Sequence, residues 1–194
     1  MYTQGSLTET DNKTDFALDG DGFFAVRALD GQTYYTRNGA FTWSQAADGR
    51  TILADASGNA VLDTAGNVIA VPNGVSSEKM DFQEDGSVGY YQPDGTYVSL
   101  NQKMAVYQFN NPAGLDKMAG SLLAQTGASG NAMLESTTAG LKASKVLAQH
   151  LEGSNVNVAD EMVNMIVAQR AYELNSKAIT TADSMLDTAN NLKR

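Results

Sequence analysis

Four groups of residues in this 194-residue sequence are of types that chemistry uses. Asp19-Gly20-Asp21-Gly22 begins like a calcium loop, in which side-chain oxygens alternate along the chain. That loop also needs an Asp or Asn fifth, a glycine sixth and a glutamate twelfth, and here Phe23, Phe24 and Asp30 occupy those places. A turn between two strands is the expectation. The same glycines do not open a pyrophosphate-binding loop, because a β-type run follows them where a helix is required. Ser76-Ser77-Glu78-Lys79 has the Ser-x-x-Lys spacing of a penicillin-recognising hydrolase, whose helix brings the amine over the nucleophilic hydroxyl. It follows a Pro72-Asn73-Gly74 turn and lacks both companion motifs, so a solvated loop is expected. His150 is the single histidine, with no serine or carboxylate at a relay spacing, and reads as a half-buried or capping residue. Trp43, beside Phe41 and Thr42, reads as core or as a contact surface.

Composition narrows the chemistry further. There is no cysteine, so disulfides, thiolate nucleophiles and Cys-ligated zinc are excluded. With 13 basic against 22 acidic residues the net charge is -9, which repels phosphate backbones; nucleic acid is not an expected partner. No run approaches the ~20 apolar residues of a membrane helix, so membrane insertion is not expected either. The sequence is read as a non-enzyme with no catalytic, metal-binding or cofactor-binding residues. A hydrolase built on Ser76 or His150, and a β-domain adhesin or ligand-binding module with a stalk helix, are the readings weighed against it.

The elements that position these residues fall into two regimes. From Phe16 to Phe109, short β-branched or aromatic runs alternate with glycine turns, the pattern of antiparallel β structure. The turns are Asp30-Gly31, Asn38-Gly39, Asp48-Gly49, Ser57-Gly58, Ala65-Gly66, Asp85-Gly86 and Asp94-Gly95, where glycine supplies the positive φ of a tight hairpin. Asn38-Gly39 is expected to be a type I′ hairpin. The expected strands are 23–28, 33–37, 40–44, 51–54, 68–71, 87–92, 96–100 and 103–109, and their brevity suggests a rolled sheet or sandwich. After Phe109 the composition becomes turn-like. Leu141, Ser144, Leu147, Ala148 and Leu151 then fall at helical spacing, closed by Gly153, and predict a short helix.

Val158 to Asn190 contains neither glycine nor proline, which predicts about 50 Å of continuous helix at ~1.5 Å per residue. Asn157 is placed to cap it, and Asp160 and Glu161 oppose the positive end of its dipole. Val158, Met165, Tyr172, Ile179 and Leu186 recur every seventh residue, beside a small-residue column that includes Ala168, Ala182 and Ala189; Ala171 and Ala178 extend the stripe. A helix of that length outreaches a β domain of this size, so part of its stripe is expected to be an assembly interface: Val158, Met165, Ala168, Tyr172, Ala178, Ile179, Ala182 and Leu186. The domains read as a linker over 1–15, a β-rich outer domain over 16–135, a short helix and connection over 136–157, and an assembly helix over 158–194. The fold class is mainly β with α: an antiparallel β-rich domain plus a long C-terminal helix.

Several ordered strings resemble the flagellar axial proteins, the family of rod and hook subunits. They are Leu151-Glu152-Gly153-Ser154-Asn155-Val156-Asn157-Val158, Gln169-Arg170-Ala171-Tyr172-Glu173, Phe16 to Phe24, Tyr35-Thr36-Arg37-Asn38-Gly39-Ala40-Phe41, Asn111-Pro112-Ala113-Gly114-Leu115 and Tyr2 to Leu7. Ser154, Asn155, Val156, Gln169, Arg170, Ala171 and Tyr172 mark the family broadly, and the Glu-Gly-Ser-Asn-Val-Asn-Val form is most similar to distal-rod members. The resemblance implies a structural subunit that polymerises helically, terminal helices lining a hollow shaft, as a coiled-coil-like wall that carries torque from motor to hook. It implies as partners other copies of the chain, neighbouring proximal-rod and hook subunits and the flagellar type III export apparatus, and a place in the extracytoplasmic basal body. A proximal-rod or hook-type subunit is the nearest alternative. Family members open with a long helix, and this sequence starts where that helix would end, so an N-terminal helix is expected to be missing from it.

Overall fold

The computed structural model describes residues 4–83 and 85–192. Tyr2 and Thr3 of the family strings, and the last two positions of the expected helix, Lys193 and Arg194, lie outside the described residues. The strands, in chain order, begin with β1 (Leu7–Glu9), β2 (Phe16–Asp19), β3 (Phe23–Arg27), β4 (Thr33–Thr36), β5 (Thr42–Gln45) and β6 (Thr51–Ala54). They continue with β7 (Ala60–Val61), β8 (Met80–Phe82), β9 (Ser87–Tyr91), β10 (Tyr97–Lys103) and β11 (Val106–Gln108). The last are β12 (Asp116–Lys117), β13 (Leu123–Ala124), β14 (Met133–Leu134), β15 (Lys145–Ala148) and β16 (His150–Glu152), followed by α1 (Val158–Leu192). The fold is therefore antiparallel β with one long C-terminal helix. Residues up to Ser154 form one compact unit, and those from Asn155 a second.

The central sheet runs β12-β13-β4-β3-β7-β6-β5, with β11 joining β3 and β14 joining β11. β3 is its pivot because its sequence, Phe-Phe-Ala-Val-Arg, is apolar at both parities, and a strand covered on both faces needs that pattern. Phe24 and Val26 enter a core with Phe16, Leu18, Phe41, Leu53 and Met104, while Phe23 and Ala25 enter a second with Tyr35, Leu62 and Phe109. Aromatic edges lock each core: Phe16 meets Phe82 at 4.7 Å and Tyr35 meets Phe109 at 4.8 Å between ring centres, both near perpendicular. Trp43 lies half-buried against the first core, stacked 6.1 Å from Phe82.

Six of the seven glycine turns share one design. Gly31, Gly49, Gly58, Gly66, Gly86 and Gly95 have φ of 80–84°. Each donates its N–H to the carbonyl three residues back, and that residue's N–H in turn bonds the carbonyl just after the glycine, as in the pairs Gly31–Ala28 and Ala28–Gln32. This is the three-residue hairpin loop closed by a left-handed glycine. The aspartates before four of these glycines accept the N–H two residues on, at 2.8–3.0 Å. Those bonds hold three carboxyls below the ordinary value of 3.8: Arg50 N–H on Asp48, the Ser87 hydroxyl and N–H on Asp85, and Thr96 N–H on Asp94.

The seventh turn departs from expectation. Neither Asn38 nor Gly39 has positive φ, so the segment is not a type I′ hairpin. Gly39 is required instead because the backbone of Phe16 lies against it: Phe16 N–H donates to Gly39 O at 2.9 Å, and a Cβ at Gly39 would collide with the Phe16 carbonyl. Two further expectations are corrected. Residues 141–151 contain no helix, since Lys145–Ala148 pairs with β2 and His150–Glu152 with β1. Val146 and Ala148 face the first core at period two, and Gln149, at φ 58°, breaks the run. Pairing with distant strands satisfies the backbone that a short helix would have satisfied locally. The first fifteen residues also hold more than a linker, for β1 is a strand and Thr14 and Asp15 are buried. Residues 68–71 are extended but make only isolated bridges, and β8 arises where no strand was expected.

Gly39→Val should destabilise the β unit by about 3 kcal/mol or more through backbone overpacking, whereas Gly95→Ala, at an open turn, should cost only about 1–2 kcal/mol from left-handed strain. Denaturant melts of both variants check the contrast; equal losses would mean that Gly39 is not a contact glycine. The turn carboxylates give a pH dependence of fixed sign. Their folded values are depressed, so their contribution is present above the ordinary carboxylate value and is lost as pH falls through the folded values. Melting temperature should decline below about pH 4, and replacing Asp48, Asp85 and Asp94 together by alanine should flatten that decline in a calorimetric pH series. The effect is modest because solvent screens these carboxylates.

Candidate assembly surface

Two of the quoted strings meet at one ion pair. Arg37, just after β4, reaches Glu152, the last residue of β16, with Nε and one terminal nitrogen each 2.9 Å from Oε2. The guanidinium's other donors take the carbonyls of Gly20 at 2.8 Å, Gly22 at 2.9 Å and, more loosely, Leu18 at 3.4 Å. Its charged plane also lies 5.8 Å from the centre of the Phe23 ring. The other oxygen of Glu152 accepts the Gly5 N–H at 2.9 Å, and Gly153 N–H donates to Ser6 O at 2.8 Å. Both side chains are largely buried, 17% and 12% exposed. The Asp19-Gly20-Asp21-Gly22 turn is thus a corner whose carbonyls serve Arg37, as a turn between strands and not as a calcium loop. No local pattern in the sequence reveals the pair, since 115 residues separate its members.

Ser76 precedes a short 3₁₀ turn, Ser77–Lys79, with Ser76 and Lys79 both exposed. His150 is half-buried in β16, its Nδ1 2.8 Å from Ala148 O. Among the described residues no group of three or more histidines or carboxylates could hold a metal ion, and no helix is long and apolar enough to cross a membrane.

Beyond Ser154 the chain enters α1, whose 35 residues span about 52 Å at ~1.5 Å each. Its start is built as expected: Asn157 Oδ1 accepts the Ala159 N–H at 3.0 Å, Asn157 O accepts that of Glu161 at 3.1 Å, and Asp160 and Glu161 sit in the first turn. Arg170 pairs with Glu173 one turn on, at 3.1 Å. None of its described side chains is buried. The expected column is exposed throughout: Val158 66%, Met165 61%, Tyr172 78%, Ile179 65% and Leu186 65%. Ala168, Ala178 and Ala182 are exposed as well. Single exposed apolar residues are ordinary, but a row of five large ones along one helix is the signature of an interaction surface.

Comparison with known proteins accounts for both parts. Residues 17–90 match the model of the flagellar hook protein FlgE/F/G D1 domain, and residues 147–192 that of the flagellar basal body rod FlgEFG protein C-terminal. The flagellar basal-body rod protein FlgG of Buchnera aphidicola from Acyrthosiphon pisum is 38% identical over 193 residues, covering 99% of this chain and 70% of the relative. Its counterpart in Borreliella burgdorferi is 37% identical over 199 residues, covering all of this chain and 70% of the relative. The chain belongs to the FlgG family of flagellar basal-body rod proteins. The flagellar hook protein FlgE of Helicobacter pylori is 38% identical but over 113 residues only, 58% of this chain and 16% of the relative, which leaves the hook-type alternative weaker. The FlgG family is structural and not enzymatic. The matched C-terminal region contains Glu152 together with α1, and the matched D1 region contains Arg37, so the ion pair links the two.

Replacing Arg37 leaves Oε2 of Glu152 without its cation and the carbonyls of Gly20 and Gly22 without the guanidinium donors. Arg37→Met should therefore cost about 3 kcal/mol, in the range for breaking a buried pair from one side. Arg37→Lys should recover only part of it, because a lysine cannot reproduce the fork. Hydrogen exchange should rise first at residues 5–9 and 150–153. A melting temperature unchanged in Arg37→Met would show the pair to be dispensable.

Proposed function

We propose that this chain is a structural subunit of the bacterial flagellar distal rod, polymerising with its own copies into the hollow shaft that transmits torque from motor to hook. The observation that carries the reading is α1: a capped, 35-residue helix with a heptad row of large apolar side chains left in solvent, in a chain of the FlgG family. Covering each such side chain yields about 1.5–3 kcal/mol, so a row of five gives helix association a strong drive. The interface consists of Val158, Met165, Tyr172, Ile179 and Leu186 as the large column, with Ala168, Ala178 and Ala182 permitting close approach of a neighbouring helix. In this reading the β unit forms the outer layer, neighbouring proximal-rod and hook subunits abut the ends of the shaft, and the subunit reaches the extracytoplasmic basal body through the flagellar export channel. The absence of cysteine and the high acidity suit a scaffold that works by repeated surface contact rather than by chemistry.

Ala182→Glu tests this directly. It inserts bulk and charge at a small position of the proposed interface while leaving the β unit untouched. In a strain whose own rod gene is replaced by one carrying the change, motility should be lost while the β unit keeps its melting temperature and the subunit is still exported. Normal swimming would rule out that face as the packing surface.

A further inference from the structure

The β unit carries both a protruding apolar knob and an unfilled apolar cavity, at opposite ends of the same strand. The knob is Leu29, 92% exposed, at the tip of the β3–β4 hairpin. Five turns of the same design, fully described, allow a comparison at its position: Ala47, Ala56, Thr64 and Pro93 stand where Leu29 stands. The turn geometry therefore does not call for a large apolar residue, and an isolated hairpin would be better served by a small or polar one.

The cavity has a volume of about 640 Å³ and a largely apolar wall that includes Met104, Val106, Leu134, Val146 and Leu147. It lies at the other end of β3. Val106 is paired with Phe24, and Gly22, immediately before the strand, abuts Val106, Glu135 and Ser144, all three of which line the cavity. At ~3.3 Å per strand residue the knob is about 20 Å away, so no copy can fill its own cavity with its own Leu29. Charge at the two ends is complementary. Beside Leu29, the Asp30 carboxylate accepts bonds from Gln32 N–H and the Tyr34 hydroxyl but has no cation partner among the described residues. At the cavity rim Asp85 is paired with Lys103, and Glu135 is engaged by Ser144 and Gln108, which leaves Lys145 as the rim charge with no ion-pair partner among the described residues.

We infer that the Leu29 tip of one copy seats in the cavity of the next, with its Asp30 against the neighbour's Lys145. The inference rests on the self-assembly proposed above and names a second contact for it, on the β unit instead of the helix. Knob and cavity lie apart on each copy and every copy offers one of each, so the contact repeats head to tail from copy to copy, as growth of a helical polymer requires.

The cysteine-free chain makes the test clean. Gln32→Cys, an exposed position of the same turn that leaves Leu29 in place, combined with Ala143→Cys, an exposed residue of the cavity wall, should give under mild oxidation of the concentrated purified chain a ladder of dimers, trimers and higher disulfide-linked species. Arg50→Cys with Ala143→Cys places a thiol at the equivalent exposed position of another turn and serves as the comparator. The Gln32 pair should cross-link about tenfold more, the factor expected from burying the Leu29 side chain. In the chain without cysteines, Val146 methyl resonances should shift as concentration rises, and Leu29→Asp should abolish that shift. Equal cross-linking by the two pairs, or Val146 resonances indifferent to concentration, overturns the contact. Since cross-linking is read on purified chain and the rod proposal by motility, the two fail separately.

Discussion

The fold of the β unit depends on one side chain satisfying backbone that the sheets cannot. β2 leaves its partner at Asp19 and the chain turns through Gly20-Asp21-Gly22 into β3, which belongs to a different sheet. Such a corner leaves carbonyls pointing inward with no strand to pair them, and a buried carbonyl without a donor is costly. Arg37 supplies the donors. Its planar fork meets two of those carbonyls and the Glu152 carboxylate at once, a geometry that lysine does not offer. Glu152 in turn holds Gly5, so the corner, the end of β4, the segment before β1 and the last strand of the unit are all joined at a single group. The net -9 charge makes such a cation scarce, and this one is spent on architecture.

That closure has a topological consequence. Five strand pairs are local hairpins made by the repeated glycine turns, which form with little loss of loop entropy. β15 with β2 and β1 with β16 are different, joining residues more than 120 apart in sequence, such as Phe16 with Ala148 and Leu7 with Glu152. Pairings of that separation form only after the intervening chain has been ordered. The glycine-turn hairpins thus close the shortest loops of the unit, and the β1–β16 and β15–β2 pairings, with the Arg37–Glu152 pair beside them, close the longest.

This division also explains what could be read from the sequence. Six glycine turns were legible because the requirement for positive φ is local, written in one residue, and the structure places φ of 80–84° at each. The long helix and its Asn157 cap were legible for the same reason. Gly39 looked identical in sequence to the other turn glycines, yet it answers a steric demand made by Phe16, which no local pattern reveals. Residues 141–151 misled because Leu141, Leu147 and Leu151 mimic helical spacing, while the deciding partners, β1 and β2, lie at the other end of the chain. Of the candidate site, the apolar row on α1 was visible as a heptad, whereas Arg37 and Glu152 were quoted in separate strings whose meeting is purely tertiary.

The exposed side chains of α1 carry one more constraint on the proposed rod. Residues two apart on an α-helix lie about 200° apart around its axis. Met165 and Tyr172 thus face one way while Val167 and Leu174 face nearly the opposite way, all of them at 61–78% exposure. A single two-stranded coiled coil buries one seam and would leave the other row wet. A helix apolar on opposite sides is suited to neighbours on both, as in a closed layer of helices in which each is flanked by two others. Between the rows, Arg170, Glu173 and Lys177 fall on an intermediate face able to stay hydrated. The pattern on one helix therefore favours a wall many helices wide over a paired stalk, and it does so independently of the Leu29 contact, which joins the β units.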